Sequence, residues 1–460
     1  MKLKPDSIAI PPEDPCRFDR VDLKESIHNI STLLQKISTP MTFSINSPWG
    51  TGKTTFIKML RAELELAKYN TVLFSAWHTD FAGDPLLAFL GEIDSQLYNG
   101  STTQNHAWNI AKNAGEILIK RGIPTLLKIT TMGILDTQEF VEESIGEFAK
   151  EASSSAIEKY ESDKKHTETF KINLSKSIQS SYKGKLFIFI DELDRCRPTY
   201  AIELLERIKH LFDIEGLVFV IAMDKNQLSH SVKSVYGDGF ESLGYLKRFI
   251  DIEYQLPKPN IQKFIENLYK KLELNQYFEA RGNKADSDYE WKSLSETIQC
   301  IAEIKNLSLR DIEQLFSKVS LVLHLTPPGY YLYPSLMAFL LSVHEYYHNA
   351  YEISLTDGKH PKSLIGTLYS IIPTHDRLNK YRNLCALIEA HLLNSYINDE
   401  STSLKNRSEL IKEHEKTIQE RNDEEKIYSE RVMRIYSSLD DNISLKYITQ
   451  KIELLKSFEL

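Results

Sequence analysis

Asn46-Ser47-Pro48-Trp49-Gly50-Thr51-Gly52-Lys53-Thr54-Thr55 follows an apolar, strand-like segment, Met41 to Ile45, and opens a helical pattern that runs from Lys53 to Tyr69. Strand, glycine-containing loop and helix in that order make a phosphate-binding loop. Gly50 and Gly52 let the backbone turn successive N–H groups inward toward phosphate oxygens. The helix N-terminus adds partial positive charge. Lys53 is placed to reach the β- and γ-phosphates, and the Thr54 hydroxyl to ligate Mg²⁺. Trp49, Thr51 and Thr55 complete the candidate loop. One position departs from the formal pattern: it begins with Gly, and Ser47 stands there.

Leu186-Phe187-Ile188-Phe189-Ile190-Asp191-Glu192-Leu193-Asp194 supplies the second element. Its apolar run reads as a strand buried on both faces, as in a parallel sheet. Its acidic end falls where ligands bind in open α/β sheets. Asp191 is the candidate for the Mg²⁺ shell, through water. Glu192 is the candidate to orient or deprotonate the attacking water, and Asp194 is a second candidate for that task.

Composition bounds the rest. A chain of 460 residues holds two or three domains. A net charge of -8 argues against a uniformly basic nucleic-acid surface, though not against a local basic groove. Cys16, Cys196, Cys300 and Cys385 are scattered without a C-x-x-C pair, as reduced thiols of a cytoplasmic protein would be. The first residues lack a signal-peptide pattern. The longest apolar runs, Leu126 to Leu135 and Leu336 to Val343, are too short for a transmembrane segment.

Along the chain, Arg17 to Ile37 reads as a leading amphipathic helix. Thr71 to Trp77 is a second strand, and a helix follows from Pro85 to Leu97. Residues from about 99 to 181 form a polar, mostly helical insertion, with disorder expected in part of Lys150 to Ser180. After the acidic strand come a helix from Pro198 to Phe212, a strand from Gly216 to Met223 and a strand from Phe249 to Leu256. Five strands separated by helices predict an α/β P-loop NTPase core: a mostly parallel five-stranded sheet, with a helical insertion and an all-α C-terminal region. The expected division is 1–256 for this domain, 257–325 for a helical lid-like domain and 326–460 for a C-terminal helical region. The charged stretch from Leu404 to Ser437 reads as a long helix, either partner-bound or a solvated face.

The acidic pair Asp191-Glu192 places the chain among P-loop proteins whose catalytic acid lies beside the Mg²⁺ aspartate. A D-x-x-G switch and an N-K-x-D base-reading loop are absent, so ATP is favoured over GTP. The chain resembles the KAP family of P-loop NTPases. The residues that carry this are Trp49-Gly50-Thr51-Gly52-Lys53-Thr54, Phe74-Ser75-Ala76-Trp77 and Ile190-Asp191-Glu192-Leu193-Asp194-Arg195-Cys196. Ala222-Met223-Asp224, Tyr245-Leu246-Lys247-Arg248-Phe249-Ile250-Asp251 and Leu256-Pro257 agree. The resemblance spans roughly residues 17 to 320. It implies the additional-strand P-loop fold, ATP binding and hydrolysis, and conformational switching. Many members carry transmembrane helices between the two motifs, and this chain departs there. Some bacterial members exclude phage, so anti-phage defence is an expectation by analogy.

Several residues carry two readings. Asp224 either senses the γ-phosphate or caps the helix that follows. Arg195 either stabilises developing charge or pairs with Asp194 or another carboxylate. Arg248 is placed as a finger acting on a neighbouring subunit of a homo-oligomer, or is a surface charge. Arg310 is placed as a lid-domain sensor, or pairs with Asp311. Trp77 is expected to pack against the sheet. His344-Glu345-Tyr346-Tyr347-His348 is a literal H-E-x-x-H that on one helix would bind zinc, with Glu389 as a distant third ligand. The expected function is an ATP-dependent switch or motor reporting to a protein partner. The alternatives are a non-hydrolysing, nucleotide-gated scaffold and, as a minor one, a zinc metallopeptidase.

Overall fold

The computed structural model describes residues 10–17, 19–98, 106–120, 153–279, 284–327, 332–356, 361–396, 400–420, 423–439 and 443–455. The chain divides into two compact units. One comprises Ile8–Asp19 and Leu23–Lys258, and the other Met1–Ser7, Arg20–Asp22 and Pro259–Leu460.

The first unit is built on β1 (Met41–Asn46), β2 (Asn70–Ser75), β3 (Leu186–Asp191), β4 (Leu217–Met223) and β5 (Ile252–Gln255). Their order is β2-β3-β4-β1-β5, and every neighbouring pair is parallel. β3 and β4 are buried along their whole length, which is why both read as unbroken apolar runs rather than alternating ones. β5 lies at the edge, largely exposed, and is shorter than the run from Phe249 to Leu256 suggests. Phe249 instead closes a turn onto Leu246. Asp251 fixes the start of β5, accepting from the Thr42 N–H at 2.8 Å and donating its own N–H to the Thr42 carbonyl at 3.0 Å. β2 also stops early: Ala76–Thr79 is a helical turn, which the Thr79 hydroxyl closes onto the carbonyls of Ser75 and Ala76.

The insertion between β2 and β3 belongs to the core. Asp84 caps the helix Pro85–Ile93 through the N–H groups of Leu86 and Leu87. The helices His106–Lys120 and Ser153–Gln179 follow. Trp108, Ala111, Ala114 and Leu118 of one, and Phe170, Leu174 and Ile178 of the other, are buried in the same apolar cluster as Val72, Phe74 and Ile188 of the sheet. The expected disorder is therefore corrected over its described part: Ser153–Gln179 is one helix. Its Lys, Glu and Ser content hides a narrow i, i+4, i+8 apolar stripe, Phe170, Leu174 and Ile178, beside which the Ser177 hydroxyl bonds that of Tyr98 at 2.7 Å. The run Leu126 to Leu135 lies outside the described residues.

The second unit is helical. One buried apolar cluster runs from Phe264 to Leu455. The charged stretch from Leu404 to Ser437 is two helices, Glu400–Glu420 and Asp423–Tyr436, rather than one long one. Leu410 and His414 on the first, and Tyr428 and Val432 on the second, are buried, so each helix packs one i, i+4 face and solvates the rest. Among the described residues, no helix is long and apolar enough to cross a membrane.

Candidate nucleotide site

The loop after β1 has the backbone that phosphate binding requires. Gly50 and Gly52 take φ of 77° and 98°, a region open to glycine at little cost. Gly52 is the N-cap of the helix Lys53–Leu66. Ser47 is outside the positive-φ set, so the departure from Gly at that position strains nothing. Ser47 is buried and donates its N–H to the Met223 carbonyl at 3.2 Å, tying the loop to β4. The Lys53 ammonium donates to the carbonyls of Ser47 (2.6 Å) and Pro48 (3.0 Å). Burial pulls its pKa down, while Asp194, Asp224 and Asp191 pull it up. The Thr51 hydroxyl closes the loop onto the Pro48 carbonyl at 2.8 Å. Thr54 is exposed on the first helical turn, and its hydroxyl acts to lower the pKa of the Asp191 carboxyl. Thr55 is half-buried beside it.

Asp191 ends β3, nearly buried. Burial raises its pKa, and Thr54 and the bond from the Glu192 N–H (2.9 Å) oppose that rise. Glu192 follows in the left-handed region, at φ 62°, and its side chain is bonded at both oxygens. Oε1 pairs with Arg195 at 2.8 Å, and Oε2 accepts from the Ser75 hydroxyl at 3.0 Å. Asp194 is a strut: its Oδ2 accepts from the Trp49 indole N–H and from the Asp224 N–H at 3.1 Å. Asp224 caps the helix Lys225–Tyr236, accepting from Asn226 at 3.1 Å and Gln227 at 3.3 Å. The sheet order thus gathers Lys53, Thr54, Asp191, Glu192, Asp194 and Asp224 at the C-terminal ends of adjacent strands.

Ser75 and Asn46 take part without having been site candidates, and Trp49, already a candidate of the loop, gains a partner that the motif does not show. Ser75 lies opposite Asp191 in the β2–β3 register, one position from the residue it holds. Asn46 accepts from the Lys225 N–H at 3.0 Å and donates to Glu253 and Gln255, joining β1, β4 and β5. Trp49 joins the loop to the acidic turn. Only Asn46 and Trp49, inside the loop motif, had a positional signal.

Arg195 pairs with Glu192 rather than with Asp194. Its guanidinium carbon lies 5.6 Å from the centre of the Trp77 ring. Trp77 itself is 50% exposed. This corrects its expected burial, because the chain turns into the helical segment before Trp77 and no longer points it at the sheet. Arg248 is exposed after the helix Ser242–Leu246. Arg310 is exposed near the start of Leu309–His324 in the helical unit. The Asp311 carboxylate there is used by the capping box with Ser308.

The H-E-x-x-H reading is corrected. The helix Pro334–Tyr346 ends before the second histidine, Tyr347 takes φ -141° and ψ 44°, and a new helix starts at His348. His344 and His348 therefore sit on two different helices, although their rings still meet edge to face, with 5.4 Å between centroids. Glu345 is taken by Lys318 and by His344. Glu389 is taken by Tyr369, His414 and Tyr428. Among the described residues no group of three His, Cys, Asp or Glu side chains is placed to hold a metal.

The sequence matches the model of the KAP family P-loop domain over residues 23–326. The chain belongs to this family of P-loop NTPases, and its nucleotide-binding architecture is the one just described. Among curated proteins, none shows a significant match. Solved structures similar to it include the ORC2 protein of Aeropyrum pernix in ADPNP–ADP complexes, at 12% identity, covering 98% of this chain and 98% of that one, with a TM-score of 0.34. AMPPCP-bound DnaA from Aquifex aeolicus follows at 11% identity, 90% and 93% coverage and a TM-score of 0.27. RuvB of Thermotoga maritima follows at 13%, 77% and 86%, and 0.24. Similarities of this size assign no activity or partner to this chain.

Proposed function

We propose that this chain binds ATP with Mg²⁺, hydrolyses it, and uses the change of nucleotide state as a conformational switch. The observation that carries the reading is the joining of the loop to the acidic turn: β1 and β3 flank β4, and the Trp49 indole N–H of the loop donates to Asp194 beyond β3. This brings the hydroxyl-bearing loop and the carboxylate of the acidic strand to one end of the sheet, the two protein oxygens that a P-loop site offers to Mg²⁺ being those of Thr54 and Asp191. The donor set is hard oxygen, as that ion requires. When bound, the ion neutralises charge on the phosphate oxygens.

The chain's own groups do the rest. The amides around Gly50 and Gly52 and the Lys53 ammonium hold the phosphates, the ammonium exchanging loop carbonyls for phosphate oxygens. Glu192 orients or deprotonates the attacking water. Asp194 is assigned to positioning rather than to base catalysis, because its Oδ2 is shared by Trp49 and Asp224. Arg248 and Arg310, both exposed, are the candidate arginines for transition-state charge. A variant of either that binds ATP but no longer turns it over would assign that role.

The test is phosphate release from ATP by the wild-type protein beside Glu192→Gln, with GTP as control substrate. Turnover of ATP that vanishes in the variant supports the reading. ATP bound by both but hydrolysed by neither would leave a nucleotide-gated scaffold. Anti-phage defence is supported by family resemblance alone. It predicts that cells expressing the wild type, but not Lys53→Ala, plate phage poorly.

A further inference from the structure

Resting on the proposed hydrolysis, the geometry points to Arg195 as a positioning residue that restrains Glu192, with Ser75 as a second hold and Trp77 as the surface that keeps the guanidinium in place. A carboxylate that is to take up a water must turn an oxygen toward it. In this protein neither oxygen of Glu192 is free to turn: Oε1 is bound by Arg195 at 2.8 Å and Oε2 by Ser75 at 3.0 Å. The two holds come from opposite sides in the sequence. Ser75 is the last residue of β2, fixed by its pairing with Asp191 of β3. Arg195 closes the short 3₁₀ turn Leu193–Arg195, whose first backbone bond runs from the Arg195 N–H to the Glu192 carbonyl at 3.1 Å. Glu192 itself stands at φ 62°, a conformation that costs a non-glycine residue and persists when its surroundings fix it.

The other neighbour of Arg195 is the ring of Trp77, at 5.6 Å, stacked in turn on His78. Trp77 is half in solvent, and Phe81, a few residues on, is almost wholly so, at 89%. A cation placed over an exposed ring is held by an attraction of modest size. Arg195 is thus clamped between a reacting carboxylate and an exposed aromatic surface, and release of Glu192 depends on that clamp. Hydrolysis in the unstimulated protein waits on breaking the Arg195–Glu192 pair.

The experiment compares steady-state ATP turnover of the full chain with that of Arg195→Ala, Arg195→Gln, Arg195→Lys, Ser75→Ala and Trp77→Ala, with ATP affinity measured first on each. The expected result is a rise in kcat of about three- to tenfold in Arg195→Ala, with KM little changed, since the pair is partly exposed and one such contact is worth about this much. Arg195→Lys restores the low rate. Ser75→Ala and Trp77→Ala move in the same direction by less. The double variant Arg195→Ala with Glu192→Gln loses the gain, which shows that it passes through Glu192. If Arg195→Ala misfolds, Arg195→Gln carries the test, keeping a planar side chain without the charge. A fall in kcat, or an unchanged kcat at a measurable wild-type rate with ATP still bound, overturns the restraint and makes Arg195 a stabiliser of charge or a bystander. Failure of the underlying reading looks different: no protein in the series, wild type and Arg195→Ala included, would then release phosphate from bound ATP, or wild type and Lys53→Ala would bind ATP equally weakly.

Discussion

The acidic end of β3 and the core around Glu389 both bury carboxylates, and the protein treats them differently. Glu389 is 1% exposed and takes donors from three directions. The Tyr369 hydroxyl reaches Oε1 at 2.6 Å, the Tyr428 hydroxyl reaches Oε2, and His414 Nε2 lies 3.0 Å from Oε1. His414 Nδ1 is engaged by Ser429 at 3.0 Å, and Arg377 stacks on the Tyr369 ring at 3.8 Å. At β3, three carboxylates share a small space in which their nearest cations, Lys53 and Arg195, have other partners as well. A buried acid saturated by side-chain donors from neighbouring helices is a tie between those helices. Acids crowded together at a strand end with exchangeable partners are arranged for a ligand. The difference in pairing, not the depth of burial, separates structure from chemistry here.

The largest effect is expected where saturation is undone. Glu389→Ala leaves two tyrosine hydroxyls and an imidazole without their acceptor at the wall of an open polar pocket, where water replaces part of what is lost. It should lower the unfolding free energy by about 2–4 kcal/mol, read by urea denaturation. Glu389→Gln keeps one carbonyl acceptor and should lose about half as much. Lys53→Ala has the opposite profile. Its loss falls on ATP affinity, by about a hundredfold if two charge-assisted contacts go, with thermal stability nearly unchanged. A Lys53→Ala protein that binds ATP normally would remove the phosphate site from the comparison.

His391 gives a third case, a buried group without a partner. It is buried, that burial lowers its pKa to about 4, and its Nδ1 meets no hydrogen-bond partner among the described residues. The neutral form is the one that fits, with the Tyr333 ring against it at 5.2 Å. The unfolded chain binds a proton near pH 6.5 and the folded one only near pH 4, so the unfolded state holds more protons between these values. Stability is intact above about pH 6.5 and is lost as pH falls toward 4, by up to about 3 kcal/mol. Unfolding free energies taken across that range should show the slope in the wild type and a flatter line in His391→Leu. Equal slopes would place the acid sensitivity elsewhere.

How much of this is legible in the sequence follows from the range of each interaction. The loop from Asn46 to Thr55 and the acidic end of β3 announce themselves because their chemistry is local: glycine torsions, a lysine at a helix start, carboxylates after an apolar run. The order of the strands and the approach of Thr54 to Asp191 follow from the P-loop architecture those motifs define. The bonds of Ser75 to Glu192 and Trp49 to Asp194 do not, since they join residues 117 and 145 positions apart and depend on strand register. The segment Ser153–Gln179 reads as helical, but its packing against the sheet is not legible, its buried stripe being too narrow to outweigh a polar composition. His344 and His348 show the converse: a correct local spacing leaves the two rings 5.4 Å apart even across the helix end at Tyr346, but among the described residues no third ligand joins them.

The smallest effect tests the division of labour between Glu192 and Asp194. Trp49→Phe keeps the ring but removes the indole N–H that Asp194 accepts. Trp49 is 44% exposed, so the bond is partly screened and its loss should cost about 1 kcal/mol of stability, together with a few-fold loss of ATP affinity as the loop loosens. Asp194→Asn should do much the same, because the amide oxygen still accepts one of the two donors. Neither variant should stop turnover of bound ATP, whereas Glu192→Gln should. A strut moves affinity and stability together, and a base moves kcat alone. Asp194→Asn that binds ATP at full affinity, folds as well as the wild type and releases no phosphate would give Asp194 the catalytic role and leave Glu192 as its neighbour.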